Sequence, residues 1–222
     1  MAVADVQLVV NTLFYIAVFV GGFAVSIPIG VVNMNNGGYC FLYASYEKEE
    51  CVTYGDSGNC NFPIYFAVFA CIFYGLAQTC YNVYAVYKST QDPTVGSQMW
   101  VMPFILLNSL VAGVMMIVAC MISVGFDNTC QSYREISKQD SCATAEKKHV
   151  RSACSGPEDE KEYDSGSFFK LFHVAEVAAW LCWLIWVALV VSGIVRAIRN
   201  RRQRTKGKSE DKENFAGKNP TA

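Results

Sequence analysis

FFKLFHVAEVAAWLCWLIWVALVVSGIV, residues 168–195, is the stretch from which the rest of the chain is read. Its 28 residues exceed the ~20 apolar positions that a helix rising 1.5 Å per residue needs to cross a ~30 Å hydrocarbon core. Past Lys170 its one formal charge is Glu176, on a helix otherwise built from Ala, Val, Leu and three Trp. Directly after it come Arg196, Arg199, Arg201, Arg202 and Arg204. Such a basic run marks the cytoplasmic side of a membrane span. It also suits anionic inner-leaflet lipids, at ~1 kcal/mol per residue near the surface.

Working outward, three more apolar stretches appear, at about residues 8–29, 62–87 and 99–126. The fold class expected is therefore all-α, a four-helix transmembrane bundle in a membrane domain of residues 1–195. A basic tail, 196–222, follows, and its composition reads as disordered. A cleaved signal peptide is the rival reading of the first stretch. It would want a basic n-region and a core of about 7–15 residues, and this stretch lacks the first and exceeds the second. In the second span Ala67, Cys71, Gly75 and Thr79 recur every fourth residue, a ridge of small side chains that lets membrane helices approach closely. Pro63 and Pro103 suit first helical turns, where a missing N–H costs nothing.

Charge is sorted by region. Residues 33–60 set Lys48 against Glu47, Glu49, Glu50 and Asp56, a net of −3; residues 127–167 carry six basic and nine acidic side chains, again −3; the tail carries nine and three, +6. Four spans put both termini on one side. Total basic counts on the two sides barely differ, but seven tail charges lie within ~15 residues of the span end, the range in which the bias acts. The loops 32–61 and 127–167 are then extracellular. Cysteine usage agrees. Of ten cysteines, Cys40, Cys51 and Cys60 lie in the first loop and Cys130, Cys142 and Cys154 in the second, with none in the tail, as expected for loops facing an oxidising compartment. No CxxC zinc spacing is present. The alternation over 39–46 suggests a short strand.

Few residues offer chemistry. Glu176 is an acid inside a span, where a charge is costly and desolvation favours the neutral form. His173 lies one turn before it on the same face. The pair reads either as a hydrogen bond that fixes helix packing or as an ion or proton site. A di-metal bundle would need acids on other helices, and no other span holds an Asp or Glu. Asn11, Gln78, Asn82, Asn108 and Ser109 are the other polar residues within spans. Depth counting matches Gln78 with Asn108 and Asn11 with Asn82 across antiparallel helices, and interhelical hydrogen bonds are expected. The acidic run 158–164 lacks the order of a calcium loop. Neither loop contains an N-glycosylation acceptor. No nucleophile–base pair, phosphate loop or cofactor motif is visible, so an enzyme is not expected, nor is a nucleic-acid partner. The functional expectation is an interaction, accessory or membrane-organising protein, with a partner membrane protein. The alternative is a small channel or transporter using Glu176 and His173.

Several short motifs resemble one family. Ile122-Ser-Val-Gly-Phe126 with Cys130 beyond and Ser141-Cys142 later, Ala175-Glu176 followed by Trp180-x-x-Trp183-Leu184, Gly38-Tyr-Cys40-Phe-Leu-Tyr43 and Asn59-Cys60-Asn-Phe are similar to those of the transmembrane protein 179 family of four-pass proteins. The likeness covers most of residues 37–190. It implies Glu or Gln at the position of Glu176, which favours hydrogen bonding over ionisation. Claudin-type proteins fit less well, because no Trp precedes Trp100, and tetraspanins would need Cys-Cys-Gly in the large loop.

Six loop cysteines allow fifteen pairings. A Cys40–Cys60 bond would join the exits of the first two spans, and Cys142 closes a short loop against Cys130. The resemblance marks the same four positions. Cys51 and Cys154, unmatched in the family, remain as a cross-loop pair.

Overall fold

The structure, a computed structural model, describes residues 3–35, 37–46, 52–91, 101–137, 142 and 168–216. Helix α1, Val3–Asn35, forms span one and runs past Pro28, where a shorter span was expected. Its end is set instead by glycines. Gly37 and Gly38 have φ of 68° and 87°, Gly38 N–H donates to Asn33 O at 2.8 Å and Gly37 N–H to Met34 O at 3.3 Å. This is a Schellman ending, which returns the last carbonyls to donors and needs a residue free of the Cβ penalty at positive φ.

The chain then makes an antiparallel hairpin, β1 Cys40–Tyr46 and β2 Val52–Gly55. The expected strand is there, and with it a β element on an otherwise helical fold. Its register is irregular between Cys40 and Ser45, and Tyr43 there takes a φ of 63°. Asp56 accepts from Gly58 N–H at 2.6 Å and so caps helix α2, Ser57–Phe66. The helix therefore starts ahead of the expected span, and Pro63 sits beyond its first turn. Span two continues as a π-helical stretch, Ala67–Tyr74, and α3, Gly75–Gln91. Span three is α4, Val101–Ser137, with Pro103 in its first turn as expected. It extends eleven residues (127–137) into what composition assigns to a loop. Span four is α5, Phe168–Ala216. The stretch 196–216 is thus helical, which corrects the expectation of disorder. Gln, Arg, Lys and Glu are good helix formers, and a helix already nucleated in span four needs only to propagate.

All four helices are long and apolar enough to cross a membrane. Span one packs against spans two and four, and span four against span three, which carries the hairpin. Spans two and three come together mainly at the hairpin end and elsewhere through side chains. The packing is inside-out relative to a water-soluble bundle. Ala175, Ala178 and Ala179 are buried, while Leu181 and Leu184 on the same helix are exposed. Small residues inside let backbones approach, and large apolar ones outside meet lipid. The small ridge of span two follows this rule. Ala67 and Cys71 are fully buried, and a methyl group on Gly22 of span one would lie 2.8 Å from Cys71 Cβ and 3.3 Å from Ala67 O. Gly21, next to it, faces Cys182 of span four.

Candidate functional site

Two regions concentrate polar chemistry, one at each end of the bundle. At the capped end, Cys40 and Cys60 are bonded with Cα atoms 5.7 Å apart, and Cys130 and Cys142 with Cα atoms 5.5 Å apart. The first bond clamps the hairpin to the start of span two. The hairpin is held to span three by Thr129, whose buried hydroxyl lies 2.8 Å from Phe41 O and 2.9 Å from Gly125 O and accepts from Ala44 N–H at 3.2 Å. A Cβ on Gly125 would fall 2.6 Å from the Leu42 side chain, so glycine is what lets the hairpin lie flat on the helix. Phe41, Phe126, Phe168 and Phe172 pack around one another beneath it. Cys51 and Cys154 lie outside the described residues, and so does their expected bond.

Glu176 and His173 do meet: His173 Nδ1 is 3.6 Å from Glu176 Oε2. His173 is well exposed and Glu176 a quarter exposed, and among the described residues Glu176 has no hydrogen bond to another helix. The packing bond expected of Glu176 is made one turn later, by Trp180 Nε1 donating to Ser123 Oγ at 2.9 Å. Glu176→Gln is accordingly expected to change stability by less than ~0.5 kcal/mol, as at other partly exposed positions. Thermal unfolding of the purified variant checks this, and a clear drop would mean that the carboxylate holds something.

At the end where the chain termini lie, the expected polar residues converge, though not in the pairs that depth predicts. Asn108 Nδ2 donates to Tyr15 Oη at 2.8 Å and its Oδ1 accepts from Tyr74 Oη at 2.8 Å, joining spans one, two and three. Both tyrosine rings pack on the buried Trp186 of span four. Asn11 Oδ1 accepts from Ser192 Oγ at 2.6 Å. Gln7 Nε2 donates to Ser192 O at 2.8 Å and its Oε1 accepts from Arg199 Nη2 at 2.7 Å. Asn82 Nδ2 bonds back to Gln78 O, and Ser109 to Ile105 O on an exposed face. Tyr15, Tyr74, Ser192 and Gln7 were not legible as partners, because tyrosine and serine in a span also read as interface or packing residues. Asn11, Gln78, Asn82, Asn108 and Arg196 line a cavity of about 50 Å³. Arg196 and Arg199 thus turn onto the bundle and not only toward lipid; Arg201 and Arg202 are exposed, and the side chain of Arg204 is not among those described.

Four apolar antiparallel helices under a disulfide-clamped cap define a multi-pass integral membrane protein. The chain belongs to the transmembrane protein 179/179B claudin domain family, which matches residues 7–216. The claudin relation, set aside on the missing tryptophan motif, therefore holds at the level of the domain. No curated protein and no solved structure matches the chain.

Proposed function

We propose that the protein is a non-enzymatic interaction or membrane-organising protein of the cell surface or secretory membranes, with both termini in the cytoplasm. The observation that carries this reading is the clamped cap. It holds Tyr39 and Tyr54 stacked at 4.6 Å, with Tyr39, Phe62 and Tyr65 exposed. Rigid aromatic side chains on a fixed platform suit the recognition of a partner protein, since such rings dominate binding energy at interfaces. Support against the channel alternative comes from the interior. Between the cap and the polar end, Val18, Val25, Met115, Val118, Ala119 and Ile122 are buried side by side, and the Glu176–His173 pair stands at the edge of this core. The basic residues beyond Val195 favour anionic lipid on the cytoplasmic face.

Cross-linked co-purification from native membranes tests the reading. A stoichiometric membrane partner, lost when Tyr39 is changed to alanine, is the expected result, and steady currents from the purified protein in bilayers would overturn it. Orientation is tested separately. An epitope near residue 53 should be labelled in intact cells and one after residue 216 only after permeabilisation; the reverse pattern would refute the positive-inside argument.

A further inference from the structure

We propose that the cavity between the four helices at the terminal end binds an oxyanion of the phosphate class. Three observations carry this. The first is charge: among the described lining residues Arg196 is the one with a formal charge, and none is an acid. The second is an unspent donor. Gln78 is 7% exposed and lines the cavity, and among the described residues its side-chain amide has no hydrogen-bond partner. An amide without a partner is costly where water is scarce, and one facing a cavity beside a guanidinium suits a bound acceptor. Asn11 points to the same chemistry, since its Oδ1 is occupied by Ser192, which leaves its N–H₂ group to donate. The third is size. About 50 Å³ is room for roughly three to five water-sized groups at ~10–15 Å³ each, which accommodates one tetrahedral oxyanion.

The source is either a lipid headgroup or a free anion. Arg196 stands where span four leaves its apolar stretch, the depth at which lipid phosphates lie, and basic pockets between membrane helices hold such headgroups.

The full chain is purified into phosphatidylcholine nanodiscs, and its melting temperature is followed in two arms. One adds inorganic phosphate at constant ionic strength, and the other replaces part of the lipid with phosphatidic acid. A rise in either arm that Gln78→Glu abolishes supports the proposal. That variant keeps the size of the side chain and sets a carboxylate against the anion. Apparent affinity should fall about tenfold or more, the usual effect of losing a hydrogen bond to a charged group. Arg202→Gln, at an exposed position outside the cavity, should leave the rise with inorganic phosphate intact. A rise with phosphate alone assigns a free oxyanion, and a rise with phosphatidic acid alone a headgroup. If Gln78→Glu yields no folded protein, Arg196→Gln replaces it in the same assay. No rise in either arm, or a rise that the cavity variant retains, overturns the proposal.

Discussion

Replacing Gly22 with leucine is expected to remove nearly all folded protein from the membrane fraction. Gly22 is buried in a close contact between spans one and two. Even one added carbon would sit 2.8 Å from Cys71 Cβ and 2.8 Å from Ile72 Cγ1. Cys71 Cβ is fixed directly to the neighbouring backbone, and Ala67 O, 3.3 Å away, is part of it, so the helices themselves must separate. Inserting single methylenes into a packed core costs ~1–3 kcal/mol, and leucine adds four carbons where stability totals only ~5–15 kcal/mol. Separation would also pull Tyr15 and Tyr74 off Asn108, because the same helices carry them. Gly113 is the control. It is exposed, and a methyl group added there would meet nothing within 4 Å, so Gly113→Ala should be neutral or slightly stabilising, given alanine's advantage of ~0.5–1 kcal/mol within helices. Detergent-extracted monodisperse yield and melting temperature measure both. Wild-type behaviour of Gly22→Leu would refute the close contact of these two helices.

Loss of the Cys40–Cys60 bond is expected to be the next most damaging change. The bond spans 20 residues and joins the exits of two helices. Removing such a cross-link costs ~2–4 kcal/mol, by releasing entropy to the unfolded chain in the simplest account. Both cysteines are essentially fully buried, so Cys40→Ala and Cys60→Ala isolate the bond better than serine, which would bury an unpaired hydroxyl. If the two cysteines act only as a pair, the double variant should be no less stable than the worse single one. The Cys130–Cys142 bond spans 12 residues and should cost less, since the entropy removed grows with loop length. Peptide mapping without reductant that joined Cys40 to Cys51 would contradict the assignment.

The two ends of the molecule were legible to different degrees. At the capped end, loop cysteines at the exits of helices leave few geometries for bonding, and the pairs Cys40–Cys60 and Cys130–Cys142 follow from position and family resemblance together. What escaped was Thr129. A lone threonine just past an apolar stretch looks like the start of a loop, and only the continued helix brings its hydroxyl under the hairpin. At the terminal end, Asn11, Gln78, Asn82 and Asn108 line one cavity. Their partners differ from the depth-matched pairs. Depth along a helix is counted in residues, whereas partnership depends on rotation about the helix axis and on which spans are neighbours.

By itself the sequence determined the number of spans, their approximate limits and the class of protein. The requirement to cross a bilayer is one-dimensional: a run of apolar residues of sufficient length meets it wherever its neighbours lie. Tertiary structure decided the rest. It drew Asn108 to Tyr15 and Tyr74 in place of Gln78 and left the amide of Gln78 facing a cavity. It turned Arg196 onto the bundle and, among the described residues, left Glu176 paired with His173. Each of these depends on how four helices rotate and cross, and that is set by the small residues on which they touch, Gly21 and Gly22 foremost.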